Sequence, residues 1–395
     1  MELLKGRNIL LGVTGSIAAY KSVELARLLI KAGANVRVIM SEEAKRFITP
    51  LTLEAITGNA VLEAGSESWS NDLNHIHIHR WAELFCIVPT TANTLNKLAH
   101  GIADNLLLQT ALACPSPLLL APAANTHMIE HPATKEAMRL LESRGATIIA
   151  PISKLLACQI QGKGAMAEPQ TVFYHIARRL LAESSLTGQN VLVTGGGTKE
   201  SVDAVRCLSN HSSGKMAEAL ALALFLKGAN VTLLTSVPAN AATLPFSVLS
   251  FTDTASLKTA LFGALETHDT LFMAAAVSDY LPKNSHKEKV KKSAMGATWS
   301  LELVENEDIL TQAAQQGARC IGFKAETDAT MAKTHAKAML EKKRLEGVCL
   351  NIINHETPFG GEENRMELFT AKGEHITIPR MSKLACGFAI VKAFF

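Results

Sequence analysis

Residues 209–216, Ser-Asn-His-Ser-Ser-Gly-Lys-Met, place hydroxyl, amide, imidazole and ammonium groups directly before the helix-forming run 217–227. A helix start leaves backbone N–H groups without partners and carries partial positive charge, so it attracts anions. Small side chains would let a phosphate or carboxylate approach the backbone, and Lys215 would add a positive charge. A serine-capped helix start explains the serines and the glycine equally well. It does not require Asn210 and His211, which favour an anion-binding site.

Three groups in the first half could also take part in chemistry. Residues 74–79 place three histidines at alternate positions, which would share one face of a strand. No Glu or Cys lies at ligand spacing, so this pattern does not favour a zinc site, and the metal ligands stay unknown. Asn125 follows a buried strand, at the end where α/β sites form. Cys158 precedes the glycine-containing stretch 161–164, which indicates a thiol on a movable flap; a buried, unreactive cysteine is the commoner alternative.

These residues lie within an arrangement of elements that occurs twice. Each copy has a strand, a glycine loop, a helix and a second strand. In the first copy the strand is at 8–13, the loop at 12–16, the helix extends to 31 and the second strand is at 36–40. In the second copy the strand is at 190–194, the loop at 195–198, the helix begins at about 215 and the second strand is at 231–234. Such units are right-handed and parallel, and their ligand sites lie at the carboxyl ends of the strands. We therefore predict two doubly wound, Rossmann-like α/β domains, at 1–183 and 188–395.

The remaining pattern supports this alternation of strands and helices. Further strands are predicted at 84–88, 118–121, 147–149, 270–275, 320–323 and 348–353. Helices are predicted at 51–57, 91–98, 103–113, 134–144 and 171–181, and near 253–266, 307–316 and 328–345. Neither glycine loop is a complete dinucleotide-binding or Walker A motif, so the sequence does not predict an NAD site or a P-loop.

Composition excludes several other classes of protein. The 395 residues are 48% hydrophobic and 19% charged, which allows large cores and argues against extensive disorder. A net charge of +3 gives no basis for nucleic-acid binding. The seven cysteines are scattered and form no Cys-x-x-Cys pair, which fits a reducing cytoplasm. Without a signal peptide or a long apolar run, we expect a soluble cytoplasmic protein with no membrane partner.

The order and spacing of these motifs resemble a known family. Residues 1–180 resemble flavin-dependent cysteine decarboxylases, and residues 188–395 resemble phosphopantothenate–cysteine ligases. Together they resemble the bifunctional phosphopantothenoylcysteine decarboxylases/phosphopantothenate–cysteine ligases of bacterial coenzyme A synthesis. The matching motifs are Gly-Val-Thr-Gly-Ser-Ile-Ala-Ala-Tyr-Lys at 12–21, 91–93, 99–104, His75, Asn125 and Cys158, and in the second half 209–216, 274–280, 322–323 and 359–365.

For the first half, the resemblance implies FMN-dependent decarboxylation of phosphopantothenoylcysteine. Oxidation of the thiol-bearing carbon gives a thioaldehyde, whose C=S bond stabilises the enethiolate left when CO2 departs. His75 is then the base or charge partner of the oxidation, Asn125 holds the substrate carboxylate, and Cys158 protonates the enethiolate. A neutral amide orients a carboxylate without the strong ion pair that would oppose its loss. The residues expected to bind FMN are Gly15, Ser16, Ser41, Thr91 and Asn93.

For the second half, the resemblance implies that a nucleotide, CTP with Mg²⁺, activates phosphopantothenate as an acyl-cytidylate that the amine of L-cysteine attacks. Such a reaction needs cations and oriented donors around phosphates more than it needs a nucleophile. Asn210 is expected to stabilise the acyl-cytidylate, and Lys289, in the lysine-rich stretch 283–292, to act on a lid over the triphosphate. The other residues expected to bind the nucleotide are Ala275, Asp279, Asn306, Asp308, Phe323, Lys337 and Lys343. The resemblance also implies a homo-oligomer, namely a dodecamer.

The chain departs from the family pattern at several positions. Ala124 stands where a methionine is usual, Gln159 replaces a glycine of the flap, and the flap lacks an arginine. Glu305 and Glu307 add two negative charges beside the expected nucleotide. Two alternatives therefore stay open: a flavin decarboxylase with a degenerate ligase half or another acid as its substrate, and a flavin-binding regulatory protein.

Overall fold

The computed structural model describes the chain except for residues 1, 71–72, 156–158, 160, 238–242 and 293–296. Cys158, the predicted acid, therefore lies outside the described residues. Two compact units are present, Met1–Leu181 and Ala182–Phe395. In the part of the chain that is described, every helix is too short or too polar to cross a membrane.

The first unit is built around a five-stranded parallel sheet. Its strands are β1 (Asn8–Val13), β2 (Asn35–Met40), β3 (Leu84–Thr90), β4 (Leu119–Pro122) and β5 (Thr147–Ile148). They are ordered β2-β1-β3-β4-β5, and all pairs are parallel. β3 and β4 are buried along their whole length, as expected for apolar strands covered on both faces. In this strand order the ligand crevice lies where the order reverses, between β1 and β3.

Helices cover both faces of this sheet. They are α1 (Tyr20–Lys31), α2 (Pro50–Thr57), α3 (His75–Trp81), α4 (Ala92–Ala99), α5 (Leu106–Ala113), α6 (Thr126–Glu130), α7 (Pro132–Ser143) and α8 (Pro169–Leu181). A 3-10 turn, Ile17–Ala19, leads from the glycine loop into α1. An antiparallel hairpin of β6 (Ile152–Leu155) and β7 (Gln161–Ala165) precedes α8.

The histidines of 74–79 do not share a strand face, because His75–Trp81 form helix α3. Asn74 caps this helix: its Oδ1 accepts the backbone N–H groups of Ile76 and His77 at 3.1 and 2.9 Å. At about 100° per residue, His75 and His79 lie on one side of the helix and His77 on the other. Among the described residues, no three metal-ligating side chains form a group that could hold an ion.

The second unit contains an eight-stranded mixed sheet. Its strands are β8 (Asn190–Gly195), β11 (Asn230–Thr235), β12 (Ser247–Ser250), β13 (Thr270–Met273), β16 (Arg319–Glu326), β17 (Gly347–Ile352), β18 (Glu363–Thr370) and β19 (His375–Ser382). The order is β12-β11-β8-β13-β16-β17-β18-β19, parallel as far as β17 and antiparallel beyond it. Two short antiparallel pairs lie outside it: β9 (Lys199–Ser201) with β10 (Cys207–Ser209), and β14 (Tyr280–Pro282) with β15 (Leu303–Glu305).

Among its described residues, this unit has the helices α9 (Lys215–Leu226), α10 (Thr254–Leu265), α11 (Ile309–Gln315), α12 (Ala329–Lys342) and α13 (Lys383–Phe394). The predicted α/β class with two Rossmann-like sheets is confirmed. The antiparallel strands β18 and β19 and the helix α13 were not predicted. In β18, Glu363, Arg365 and Glu367 alternate with less polar residues, which is a strand pattern that the sequence analysis did not use.

Candidate functional sites

The first candidate site is a cavity of about 660 Å³ in the first unit. It lies at the carboxyl ends of the parallel strands, beside the reversal of strand order. Its volume falls in the range of about 300–1,000 Å³ that is typical of ligand pockets. The structure brings together at this cavity all five residues predicted to bind the cofactor, and the predicted carboxylate-binding amide: Gly15, Ser16, Ser41, Thr91, Asn93 and Asn125.

The glycine loop after β1 approaches its neighbour too closely for a larger residue. A Cβ atom on Gly15 would lie 2.4 Å from the Cβ atom of Glu43 and 3.0 Å from its carbonyl carbon. Ser16 follows in an extended conformation, and its Oγ accepts the N–H of Ala18 at 3.2 Å. The chain thus enters the helical segment at the cavity wall, where backbone N–H groups and the helix dipole favour an anion.

Polar side chains follow strands β2, β3 and β4 and meet at this edge of the sheet. Ser41, after β2, accepts the N–H of Ala44 through its Oγ at 3.3 Å. Thr91, after β3, caps α4, and Asn125, after β4, caps α6. Each of these residues begins a helix or turn, so the local hydrogen bonds that start these elements also place the polar groups around the cavity.

The β6–β7 hairpin packs against the segment that carries Asn125. Ala124 donates its N–H to the carbonyl oxygen of Gly164 at 3.1 Å. A Cβ atom on Gly164 would lie 2.2 Å from the carbonyl oxygen of Ala124, so the contact requires glycine. Lys154, Leu155 and Gly164 line the cavity, and the hairpin therefore forms one of its walls.

A buried lysine joins this wall to the helix that follows the glycine loop. Lys21 is 6% exposed, and its Nζ lies 3.0 Å from both Oε2 of Glu168 and the carbonyl oxygen of Met166. Burial opposes ionisation of Glu168, but contacts with Lys21 and Lys154 outweigh it and lower the pKa of this carboxyl group. The sequence analysis did not single out Lys21 as a site residue.

The structure does not place His75 among the described residues that line this cavity. Its Nδ1 lies 2.6 Å from Oε1 of Glu67, and its ring meets Trp69 edge-on with centroids 5.5 Å apart. The carboxylate therefore orients the imidazole. The sequence could not reveal this partner, because Glu67 belongs to an irregular segment before α3.

The second candidate site is a cavity of about 670 Å³ in the second unit, bordered by the start of α9 and by the segments that follow β13 and β15. Seven of the nine residues predicted for ligation line it: Asn210, Ala275, Asp279, Asn306, Asp308, Phe323 and Lys343. Lys289 and Lys337 are described but are absent from its lining. The Nζ of Lys337 instead lies 5.9 Å from the ring centroid of Phe369.

Most hydrogen-bonding groups of Asn306 are already engaged. Its Nδ2 donates to the carbonyl oxygen of Ser278 at 2.7 Å and to Oγ1 of Thr254 at 3.0 Å. Its Oδ1 accepts the N–H of Glu307 at 2.8 Å. Thr254 is held in turn by the buried carboxylate of Glu200, at 2.6 Å. An amide oxygen has two lone pairs, so the group that Asn306 retains for a ligand is one acceptor position.

The acidic residues at this cavity are largely paired. Asp308 Oδ2 lies 2.8 Å from the Nζ of Lys343. Burial disfavours its ionised form, but Lys343 and Thr311 outweigh this and lower the pKa of Asp308. Hydrogen bonds from Gln312 and Lys258 lower the pKa of Glu307. Glu307 thus has a cationic partner of its own.

Two further lysines meet at the loop that precedes β18. Lys215, at the start of α9, pairs with Glu362 and donates to the carbonyl oxygen of Gly360 at 3.0 Å. Lys383, at the start of α13, donates to the carbonyl oxygen of Gly361. Burial, and then the charge of Lys215, lowers the pKa of Lys383. The sequence analysis missed Lys383, since α13 was not predicted.

Asn351 is a second residue that the sequence analysis missed. It lies on β17 and lines the second cavity, and its Oδ1 is buried without a hydrogen-bond partner among the described residues. Buried polar atoms are normally paired, so this oxygen is available to a ligand. An asparagine within the apolar run 347–353 was the signal that could have revealed it.

Comparison with known proteins gives matches over both units. The flavoprotein family model matches residues 2–181, and the model of the DNA/pantothenate metabolism flavoprotein C-terminal domain matches residues 186–395. The chain is similar to the coenzyme A biosynthesis bifunctional protein CoaBC of Haemophilus influenzae, with 38% identity over 94% of this chain and 92% of that protein. It is 36% identical to CoaBC of Bacillus subtilis, over 99% of this chain and 97% of that protein.

A solved structure of a PPC decarboxylase mutant complexed with pantothenoylaminoethenethiol is also similar, with 35% identity and a TM-score of 0.41 over 45% of this chain and 98% of that one. Because its identity to the two curated relatives extends over nearly the full length of both partners, the chain belongs to the family of bifunctional coenzyme A biosynthesis proteins, CoaBC.

Proposed function

We propose that this chain catalyses two consecutive steps of coenzyme A biosynthesis. Cysteine is ligated to phosphopantothenate, and the phosphopantothenoylcysteine formed is decarboxylated to phosphopantetheine. The observation that carries this proposal is that thirteen residues predicted for the two reactions line two cavities, six in the first unit and seven in the second. We assign the decarboxylase to residues 1–183 and the ligase to residues 188–395. The described free cysteines suit the cytoplasm, where thiols stay reduced.

The first cavity fits FMN. The close approach at Gly15 and the helix start beyond Ser16 suit its phosphate, and apolar groups such as Leu107 and Met128 suit a flavin ring. When bound, FMN supplies the two-electron acceptor for oxidation of the thiol-bearing carbon of the substrate. The chain's own residues then have to hold the carboxylate that departs as CO2 and deliver a proton to the carbon skeleton.

We assign these tasks to three residues. The Nδ2 group of Asn125 donates to the substrate carboxylate, while its Oδ1 accepts the N–H of His127 at 2.9 Å. Cys158 delivers the proton to the enethiolate. His75 acts as the base or charge partner, oriented by Glu67. Since His75 does not line the cavity of its own unit, we propose that it completes the site of a neighbouring copy in a homo-oligomer.

For the second cavity, we propose CTP with Mg²⁺ as the activating nucleotide. The one acceptor position left on Asn306 suits a base with an exocyclic amine, which cytosine has and uracil lacks. Lys343, which lines this cavity, supplies positive charge for the phosphates, and Lys215 adds a second charge at the start of α9, which borders the cavity. One N–H of the Asn210 amide donates to the carbonyl oxygen of Ala276 at 3.1 Å, and we assign the other to the acyl-cytidylate.

The two activities can be separated by substitution. We expect Cys158→Ser and His75→Asn to abolish CO2 release while pyrophosphate release from CTP, phosphopantothenate and cysteine continues. Asn210→Asp should abolish pyrophosphate release, while CO2 release from added phosphopantothenoylcysteine continues. The purified protein should be yellow, with a flavin absorbance spectrum. Equal loss of both activities in any of these variants, or a protein that stays colourless after incubation with FMN, would refute the assignment.

A further inference from the structure

The loop that carries Lys289 connects β14 to β15. Its two ends are joined, because Lys283 donates its N–H to the carbonyl oxygen of Glu302 at 2.9 Å and the two side chains form an ion pair at 2.6 Å. Residues 283–292 include five lysines, and like charges in one short segment repel each other. The shape of this segment therefore depends on contacts elsewhere in the second unit.

A buried carboxylate provides one such contact. Asp203 lies in the turn between β9 and β10, and its side chain is 0% exposed. Its Oδ1 accepts the N–H groups of Val205 and Arg206, both at 2.8 Å, which hold the turn together. Its Oδ2 reaches out of the turn and accepts the N–H of Val290 at 3.1 Å. Val290 is the residue directly after Lys289.

The same turn makes three more contacts with the loop. Arg206 donates through Nη2 to the carbonyl oxygen of Val290 at 3.1 Å, so both backbone polar groups of Val290 are engaged. The guanidinium carbon of Arg206 also lies 5.0 Å from the ring centroid of Trp299, in the returning part of the loop. His286 donates its N–H to the carbonyl oxygen of Val202 at 3.0 Å.

We propose that Asp203 is a positioning residue for ligation, which anchors the lysine-rich loop through the N–H of Val290 and thereby fixes the point outside the cavity lining from which the side chain of Lys289 reaches toward the nucleotide phosphates. This inference rests on the proposed function of the second cavity. Neighbouring Cα atoms are about 3.8 Å apart, so fixing Val290 also confines the backbone of Lys289. The backbone is then ordered before the nucleotide binds, and less conformational entropy is lost at that step.

The hairpin also links the loop to Asn210. Strand β10 ends at Ser209, and Asn210 follows it into the second cavity. One short element thus carries the anchor of the loop and the amide that we assign to the acyl-cytidylate. Displacing the loop from this hairpin changes the distance between Lys289 and Asn210, which both have to reach the same nucleotide.

Asp203→Asn in the full-length protein tests the anchor. The amide keeps one acceptor oxygen but turns an NH2 group toward an N–H donor. We expect trypsin to cleave the lysine-rich loop at least about tenfold faster than in the wild type, and the KM for CTP to rise by a similar factor. The kcat of CO2 release, measured on the same sample, should not change. Proteolysis measures how firmly the loop is held, and it does so in the absence of nucleotide.

Two further variants keep the test decisive. Val290→Pro removes the N–H donor and leaves the turn of Asp203 intact, so Asp203→Asn combined with Val290→Pro should raise the KM for CTP no more than either single variant does. Ile390→Val, a small change in the buried face of α13, should alter neither cleavage nor KM. Unchanged cleavage in Asp203→Asn would overturn the anchor. Faster cleavage with an unchanged KM for CTP would overturn its role in ligation. A wild type that does not use CTP, with faster cleavage in Asp203→Asn, would overturn the proposed function while the anchor stands.

Discussion

The ammonium group of Lys343 lies 2.8 Å from Oδ2 of Asp308, at the border of the second cavity. Lys343 directly follows α12, and Asp308 caps α11 by accepting the N–H of Thr311 at 3.0 Å. The pair therefore joins the end of one helix to the beginning of another. It holds a cation in place where phosphate groups of a nucleotide would need one.

Replacing Lys343 with methionine should weaken nucleotide binding. We expect the KM for CTP to rise about tenfold, because a charge-assisted hydrogen bond to a phosphate is lost. Lys342→Met is the matched control, since it removes the same charge one residue earlier, at an exposed position of α12. Steady-state rates of pyrophosphate release check this prediction. An equal rise in both variants would mean that only the overall charge matters.

Gly15→Ala should impair flavin binding. The added Cβ atom would lie 2.4 Å from Glu43, so the glycine loop has to move away from the second strand's carboxyl end. We expect the Kd for FMN to increase at least about tenfold, which corresponds to a modest shift in free energy. Quenching of FMN fluorescence on titration with apoprotein gives the Kd. Gly65→Ala, where a Cβ atom meets nothing within 4 Å, should leave the Kd unchanged.

Gly164→Ala should loosen the wall that carries Asn125. Its Cβ atom would lie 2.2 Å from a backbone oxygen that has no room to rotate, whereas the Cβ atom of Gly162→Ala would meet the movable Oγ1 of Thr126 at 2.3 Å. We expect Gly164→Ala to lower the free energy of unfolding of the first unit by about 1–3 kcal/mol and Gly162→Ala by less. Urea unfolding followed by flavin fluorescence measures both values. A larger decrease in the free energy of unfolding for Gly162→Ala than for Gly164→Ala would contradict the close contact between Gly164 and the carbonyl oxygen of Ala124.

The stability of the first unit should depend on His175 below neutral pH. Burial, with a further contribution from Arg178, lowers the pKa of His175 from 6.5 to about 4. Between these values the unfolded chain binds a proton that the folded chain does not, so stability falls as the pH falls through this window. We expect His175→Gln to lose less stability than the wild type between pH 6.5 and 4, measured by urea midpoints. The exposed His127, changed to Gln, should reproduce the wild-type slope.

The sequence predicted the parallel strands of both sheets except the edge strand β12. Runs such as those of β3 and β4 are apolar at every position because helices cover both faces, and such runs are visible without tertiary contacts. The alternate histidines of α3 suggested one face of a strand, whereas Asn74 before them caps a helix, which the sequence analysis did not consider. The domain limits and the roles of the site residues remain predictions.

Tertiary contacts explain why part of each site could not be predicted. Loop residues after a strand are close to one another whenever the strands are parallel neighbours, so Asn125 could be placed at the strand ends from the sequence pattern. Gly15 and Thr91 were assigned through the resemblance to the family. The unpaired oxygen of Asn351 depends on the burial of one side chain in β17. The absence of Lys289 from the cavity lining depends on where a long loop runs, and periodicity carries no information about that.

The pairing of Glu307 with Lys258 has a consequence for protein engineering. In the acidic segment after β15, at the second cavity, the carboxylate of Glu307 is paired with Lys258, a cation that α10 supplies. A chimera that receives residues 304–308 without Lys258 would acquire an uncompensated carboxylate. Designers who exchange this segment between ligases have to transfer both positions together.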